Sequence, residues 1–312
     1  MSKVTTLINL INKKPAFITW AIFCNFSKLP LIKLMSDKFF LKLAFRISIK
    51  RRLNLKAPKT FNEKLQWLKL NDRNPEYPLL VDKFEVRKFI ADKIGSQYLV
   101  QLINVYNSID EINFGDLPEK FVIKCTHDSG STIICRNKAG FDIENAKKKL
   151  KKNFSRNIFW QTREWPYKNI KPRIICEELL VDNSHDDLID YKILCFNGEP
   201  KCLFLCLDRR SPSGLKVDFY DLNWNPLPFE RHYPRSGRLI EKPECFKEML
   251  DLSRILSKGI PFVRVDFYIV NKKIKFSELT FYPGSGFEEF SPESFDYLLG
   301  SWIDLSIVKK EM

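Results

Sequence analysis

Asp266 and Glu278 lie amid apolar sequence, in "FVRVDFYIVNKKIKFSELTFYPGSGFEEF", residues 262–290. Val263 to Val270 and Ile274 to Phe281 are rich in β-branched and aromatic residues, and the polar Asn271-Lys272-Lys273 between them predicts a hairpin. A three-residue loop sets Arg264 against Thr280, Asp266 against Glu278 and Tyr268 against Phe276. Val265, Phe267, Ile269, Leu279 and Phe281 then share the face toward the core. A two- or four-residue loop sends the two carboxylates to opposite faces. Facing carboxylates stand about 5 Å apart at Cβ and repel by about 3 kcal/mol at an effective dielectric of ~20. A shared proton, a neighbouring arginine or a divalent cation must offset that. Oxygen-only ligands suit magnesium, which normally also recruits substrate phosphates; the plainer alternative is Arg264 paired with Asp266 on a wet sheet face. Without a cation, removing either carboxylate is expected to relieve repulsion and leave stability level or higher.

Other residues could act on a phosphorylated substrate. "FVIKCTHDSGS" puts Lys124 on a strand just before a small turn containing Ser129, Gly130 and Ser131. An ammonium from the strand and N–H groups of the turn can fold over phosphates, although a hairpin with a snorkelling lysine uses the same residues. "CEELL" puts Glu177 and Glu178 at the end of an apolar strand, where a carboxylate and backbone groups can bind an adenine edge or simply be solvated. Asp190 and Lys192 share one strand face, and Arg209 and Arg210 end the return strand.

The elements that must position these groups alternate without a regular βαβ period, which gives an α+β class. "TFNEKLQWLKL" opens with Thr60 and Glu63 as a capping box and continues with helical apolar spacing. "LLVDKFEVRKFIADKIG" predicts a second helix stopped by Gly95, and a Lys-rich helix is expected near 143–152. "IDYKILCFNGEPKCLFLCLDR" is a hairpin with Asn197-Gly198 as its turn, and a helix near 244–257 precedes the opening hairpin.

The chain of 312 residues can bury one large core or two modest ones. It has eight cysteines without a CxxC pair and three scattered histidines, so a zinc site is not expected and reduced thiols in a cytoplasmic protein fit best. Residues 1–60 contain thirteen Lys or Arg and one acid, Asp37, whereas the remaining residues are nearly neutral. A nucleic-acid-binding surface would spread its basic residues over the fold, so no nucleic acid is expected. Lys38, Lys42, Arg46 and Lys50 recur every four residues among Phe39, Phe40, Leu43 and Ile47, which predicts a basic amphipathic helix. Residues 1–57 thus read as a basic, mostly helical extension that tethers a cytoplasmic body to the inner face of an anionic membrane; packing onto the body is the alternative. Lys13-Lys14 and "PAFITWAIFC" resemble a secretory signal, but no small-residue cleavage site follows.

Taken in order, the motifs resemble the ATP-grasp superfamily. More narrowly, "TFNEKLQWLKL", "DKFEVRKFI", "FVIKCTHDSGS", "DYKILCFNGEPK" and "SELTFYPGSGF" resemble its TupA-like branch, named for teichuronopeptide biosynthesis, over about residues 58–305. The resemblance implies two α+β subdomains clasping ATP: a helical lead-in at 58–118, a lysine and glycine-turn subdomain with hinge at 119–180, and a magnesium-ligand subdomain at 181–305. It implies Lys124 on the ATP phosphates, with Ser129, Gly130 and Ser131 in the lid, and Glu177, Glu178 and Leu179 as the adenine hinge. Asp190 would lie near the ribose. Lys192, Arg264 and one of Arg209 or Arg210 would face phosphate or the acyl intermediate. Asp266, Glu278 and Thr280 would be magnesium ligands, Thr280 standing where the superfamily commonly has Asn. "PGSG" at 283–286 would be the loop near the acceptor.

The resemblance implies an ATP-dependent carboxylate–amine ligase. Its partners would be an acidic capsule or surface polysaccharide, or a lipid-linked precursor, and an amino acid or amine. The rivals are phosphoryl transfer to a sugar hydroxyl, a glycosyltransferase and a non-catalytic basic adaptor.

Overall fold

The computed structural model describes residues 30–182, 188–209, 211, 212 and 214–308. Arg210 and residues 1–29 of the basic extension lie outside the described residues. The helices used below are α1 (Asp37–Ser48), α2 (Phe61–Asn71), α3 (Tyr77–Val81), α4 (Val86–Lys93), α5 (Ile143–Phe154), α6 (Phe246–Ser257) and α7 (Ser294–Ser301). Two antiparallel sheets organise the chain. One has the order β1-β4-β2-β3, from Leu102–Tyr106, Ile174–Glu178, Phe121–Cys125 and Ile133–Cys135. The other has the order β10-β9-β5-β6-β7, from Lys273–Thr280, Phe262–Val270, Asp190–Phe196, Glu199–Leu207 and Lys216–Asp221. Glu230–Arg231 (β8) and Phe290–Ser291 (β11) form a small ribbon. The segment 58–118, read as helical, also supplies β1.

Local chemistry accounts for these elements. The capping box starts α2: the Thr60 hydroxyl accepts from the Glu63 N–H, and the Glu63 carboxylate accepts from the Thr60 N–H. Asn197 (φ 52°) and Gly198 (φ 86°) both adopt left-handed backbone in the tight β5–β6 turn. The second predicted helix is broken into α3 and α4. Asp82 Oδ1 accepts from the N–H groups of Phe84 and Glu85, and Oδ2 accepts from the Thr126 hydroxyl at 2.9 Å. That carboxylate restarts the helix and ties it to the end of β2.

The β9–β10 hairpin departs from its expected shape at the tip. Asn271 (φ 49°) and Lys272 (φ 65°) form a two-residue turn, so Tyr268 faces Lys275 rather than Phe276, and Phe276 faces Phe267. A bulge between Phe276 and Glu278 takes up Ser277 and restores the pairing of Asp266 with Glu278 and of Arg264 with Thr280.

Three apolar clusters result. The largest joins α2, α3, α4 and α6 to the apolar face of the five-stranded sheet. A second lies between the four-stranded sheet and α5. In the third, Phe40, Leu41, Ala44 and Phe45 of α1 pack with Ile32, Leu53 and Phe287. Part of the basic extension therefore docks onto the body, as the packing alternative requires. The seven described cysteines form no disulfide. Among the described residues, no helix is long and apolar enough to cross a membrane.

Candidate active site

Alternation along β5, β9 and β10 lines up Asp190, Lys192, Arg264, Asp266, Glu278 and Thr280 on one sheet face. Asp266 is fully buried and Arg264 and Lys192 nearly so. Arg264 Nε donates to Asp266 Oδ1 at 2.7 Å. Its Nη2 donates to Asp266 Oδ2 at 2.6 Å, Glu278 Oε1 at 2.9 Å and Thr280 Oγ1 at 3.0 Å. One cationic nitrogen therefore sits where oxygens of the three expected metal ligands converge. Lys192 pairs with Asp266 from β5 and lies 3.8 Å from Asp190, which Arg209 reaches at 2.8 Å.

Arginine and lysine thus offset the carboxylate repulsion, and the expectation that losing a carboxylate relieves strain is corrected: both carboxylates already have cationic partners. The wet-face alternative is half right, since Arg264 pairs with Asp266 but on a buried face. Burial alone would push Glu278 up, but Arg264, Lys192 and Lys83 overcome it and hold the carboxyl at about 2. Burial pushes Asp266 up against the pull of Arg264 and Lys192. Burial would lower Arg264, but Asp266 and Glu278 hold its guanidinium above its ordinary value.

This oxygen set fits magnesium, which takes one or two carboxylates and fills its shell with phosphate and water. Among the described residues no three His, Cys, Asp or Glu side chains are placed to hold one metal ion together, so further ligands would come from Thr280 or from the substrate. Arg264 Nη2 occupies the point where these oxygens converge, so the guanidinium would withdraw for a cation to be held there.

The remaining expected nucleotide residues lie on or beside the four-stranded sheet. Lys124 lies 2.5 Å from the buried Glu177, whose other oxygen accepts from Arg87 of α4 at 3.1 Å. Glu177 is therefore an ion-paired carboxylate, while Glu178 is exposed and Leu179 half-buried beside it. The turn after β2 divides the expected lid residues. Ser129 and Gly130 form the exposed tip, with Gly130 at φ 95°. Ser131 is buried; its hydroxyl donates to Asp128 Oδ1 at 2.5 Å and accepts from the Cys125 N–H at 2.9 Å. The Ser131 hydroxyl therefore clasps the turn from within, while Ser129 and Gly130 stand at its tip.

Several polar residues near these groups escaped the sequence reading. Lys83 donates to the Asp128 carbonyl and helps hold Glu278 ionised, so it links the turn to the charged sheet face. Its signal was present in "DKFEVRKFI". Below the loop at 283–286, α2 presents Asn62, Gln66 and Lys69, all almost fully buried. Gln66 donates to the carbonyls of Ser285 and Gly286, Lys69 to those of Ser285 and Thr162, and Asn62 to that of Glu288. Arg231 holds the Pro283 carbonyl at 2.7 Å, and the Ser285 hydroxyl donates to Glu164 at 2.5 Å. This platform supports three successive left-handed residues, Gly284, Ser285 and Gly286. For Ser285 that backbone costs about 1–2 kcal/mol, and a Cβ on Gly286 would stand 2.4 Å from Gln66 Nε2.

A family model described as TupA-like ATPgrasp matches residues 63–304. The chain belongs to the TupA-like ATP-grasp family. No curated protein matches it. Among solved structures, the TupA-like chain is similar to a D-alanine–D-alanine ligase from Bacillus anthracis complexed with ATP, at 14% identity and a TM-score of 0.41. That match covers 74% of this chain and 65% of that one. Another structure of the Bacillus anthracis ligase matches at 15% identity and a TM-score of 0.39, over 68% of this chain and 62% of that one. The ATP-grasp ligase PsnB, complexed with a minimal precursor, Mg and ADP, matches at 9% identity and a TM-score of 0.38, over 79% and 66%. The TupA-like chain thus spans less than two thirds of the length of the Bacillus anthracis ligase.

Proposed function

We propose that this TupA-like ATP-grasp chain is an ATP- and magnesium-dependent, ADP-forming carboxylate–amine ligase. The carrying observation is the convergence of Asp266, Glu278 and Thr280 oxygens on one cationic atom, with Lys192 and Arg209 beside them. Asp266, Glu278 and Thr280 would hold magnesium, which supplies charge neutralisation of the transferring phosphoryl group. Lys124 and the Ser129-Gly130 tip would hold the ATP phosphates. Glu178, Leu179 and the ion-paired Glu177 would line the adenine, with Asp190 toward the ribose.

In this reading the acceptor carboxylate oxygen attacks the γ-phosphorus, the bond to the bridging oxygen breaks and ADP leaves. Lys192, Arg264 and Arg209 stabilise the charge that develops. The amine nitrogen then attacks the acyl carbon, phosphate departs with the carbonyl-bound oxygen, and the amine loses a proton to complete the amide. Withdrawal of Arg264 from Glu278 would free the metal oxygens and bring the guanidinium toward the phosphoryl group. The carboxylate is proposed to belong to an acidic bacterial surface polysaccharide or its lipid-linked precursor, and the amine to an amino acid or simple amine.

The test is product analysis with candidate acceptors. ADP and phosphate should form in equal amounts with an amide, and hydroxylamine should trap the acyl phosphate as a hydroxamate. AMP and pyrophosphate, or a stable phosphorylated sugar, would overturn the reading.

A further inference from the structure

We propose that the outer face of α1 is a docking surface for an anionic lipid bilayer. The helix is fixed to the body by its inner face: Phe40, Leu41, Ala44 and Phe45 are fully buried. Asp37 pairs with the buried Arg163 at 3.1 Å, and the Arg163 guanidinium lies 4.5 Å from the Phe40 ring centroid. The inner face is therefore already partnered, and its one acid is engaged there.

The outer face is different. Lys38, Lys42 and Arg46 are exposed at successive four-residue spacings, so they form one stripe. Beside it, Phe39 and Leu43 are 56% and 38% exposed, and Leu34 just before the helix is 84% exposed. Residues 30–56 hold eight basic residues and one acid, Asp37; of the eight, Arg51 is paired with Glu293 and Asp296, away from the stripe. Exposed apolar side chains interleaved with cations match both layers of an anionic membrane interface, headgroup phosphates and the acyl boundary beneath. A nucleic-acid surface would use the cations but leave Leu34, Phe39 and Leu43 without a partner.

The same helix packs against Phe287, which follows the loop held by the buried platform. Docking through the outer face would therefore leave that loop behind α1, at least about 10 Å from the bilayer surface. The surface itself does not depend on the proposed reaction, because binding can be read without turnover.

The experiment is sedimentation of the full chain with vesicles of phosphatidylcholine alone or mixed with phosphatidylglycerol, at low and high salt. Wild-type protein should pellet with the anionic vesicles at low salt and be released by high salt. The Lys38→Gln/Lys42→Gln/Arg46→Gln variant should bind roughly a hundredfold more weakly. Phe39→Ser/Leu43→Ser should weaken binding about tenfold, with unfolding temperatures of both variants close to wild type. Equal binding to uncharged vesicles, or variants that bind as wild type, would overturn the proposal. So would three other outcomes without vesicle binding: capture of a short RNA duplex, a dimer lost in Phe39→Ser/Leu43→Ser, or a fall in unfolding temperature showing that the chain itself covers this face.

Discussion

The five-stranded sheet has two faces built from alternating residues of the same strands. On one lie Val263, Val265 and Phe267; on the other lie Arg264 and Asp266. Burial does not separate them, since Asp266 and Phe267 are both fully buried. The difference is how each face is satisfied. The apolar face gains from contact area in any direction. The charged face depends on particular partners, three cations (Lys192, Arg209, Arg264) against three carboxylates (Asp190, Asp266, Glu278). Such a balanced plate contributes little net stability and fails when one member is removed. Its retention beside a well-packed core fits a role in binding charge rather than in holding the fold.

Adjacent substitutions would break the comparison most sharply. Asp266→Asn should lower turnover about a thousandfold, because a carboxylate meant to hold the magnesium that neutralises the phosphoryl charge is gone. It should also destabilise the ligand-free protein by about 1–3 kcal/mol, since Lys192 and Arg264 lose a charged acceptor. Phe267→Ala should cost more stability, about 3–5 kcal/mol, while its folded fraction binds Mg-ATP as wild type does. Denaturant unfolding and calorimetric titration read the two effects separately. Near-normal turnover in Asp266→Asn would remove the site from this face.

The face assignment was legible in the sequence, but not for the reason the loop length gave. A regular ladder from the two-residue turn would set Ser277 against Asp266 and carry Glu278 to the apolar face. The bulge at Ser277 adds the missing residue, so a shorter turn with a bulge and a longer turn without one give the same pairing. Apolar alternation reported the outcome because Val265 and Leu279 must both face the core. The break at Asp82 was hidden because its partner, Thr126, is distant in sequence. The platform under the 283–288 loop was hidden for a related reason. Asn62, Gln66 and Lys69 look like the solvated side of an amphipathic helix, and only the loop's carbonyls make them interior.

Lys124 tests a milder contrast, because its side chain keeps some exposure in the pair with Glu177 while Asp266, paired with Lys192, is fully buried. Lys124→Met keeps the aliphatic stem and removes the charge. ATP affinity should fall by about 1.5–3 kcal/mol, one to two decades in the dissociation constant. Stability should change little, because Arg87 still pairs with Glu177. An unchanged dissociation constant would place the ATP phosphates elsewhere.

The smallest expected effect concerns Lys69, a buried cation held mainly by carbonyls, with Glu164 as its carboxylate neighbour. Burial lowers its ammonium to about 7 against the pull of Glu164. Between that value and the ordinary lysine value of 10.5, the unfolded chain carries a proton that the folded chain has released. Unfolding then takes up a proton, so this group's contribution to stability rises with pH through the window; below about 7 its full burial penalty remains. Lys69→Met removes that rise. It also leaves Glu164, already pushed up by burial, without its cation, so the variant loses stability as Glu164 ionises. Both effects have the same sign: the stability gap between wild type and Lys69→Met should widen by about 1–2 kcal/mol from about pH 7 to about pH 8.5. Denaturant unfolding of both proteins across that range measures it. A gap independent of pH would mean that Lys69 stays charged throughout, with the loop's carbonyls and Glu164 compensating its burial in full.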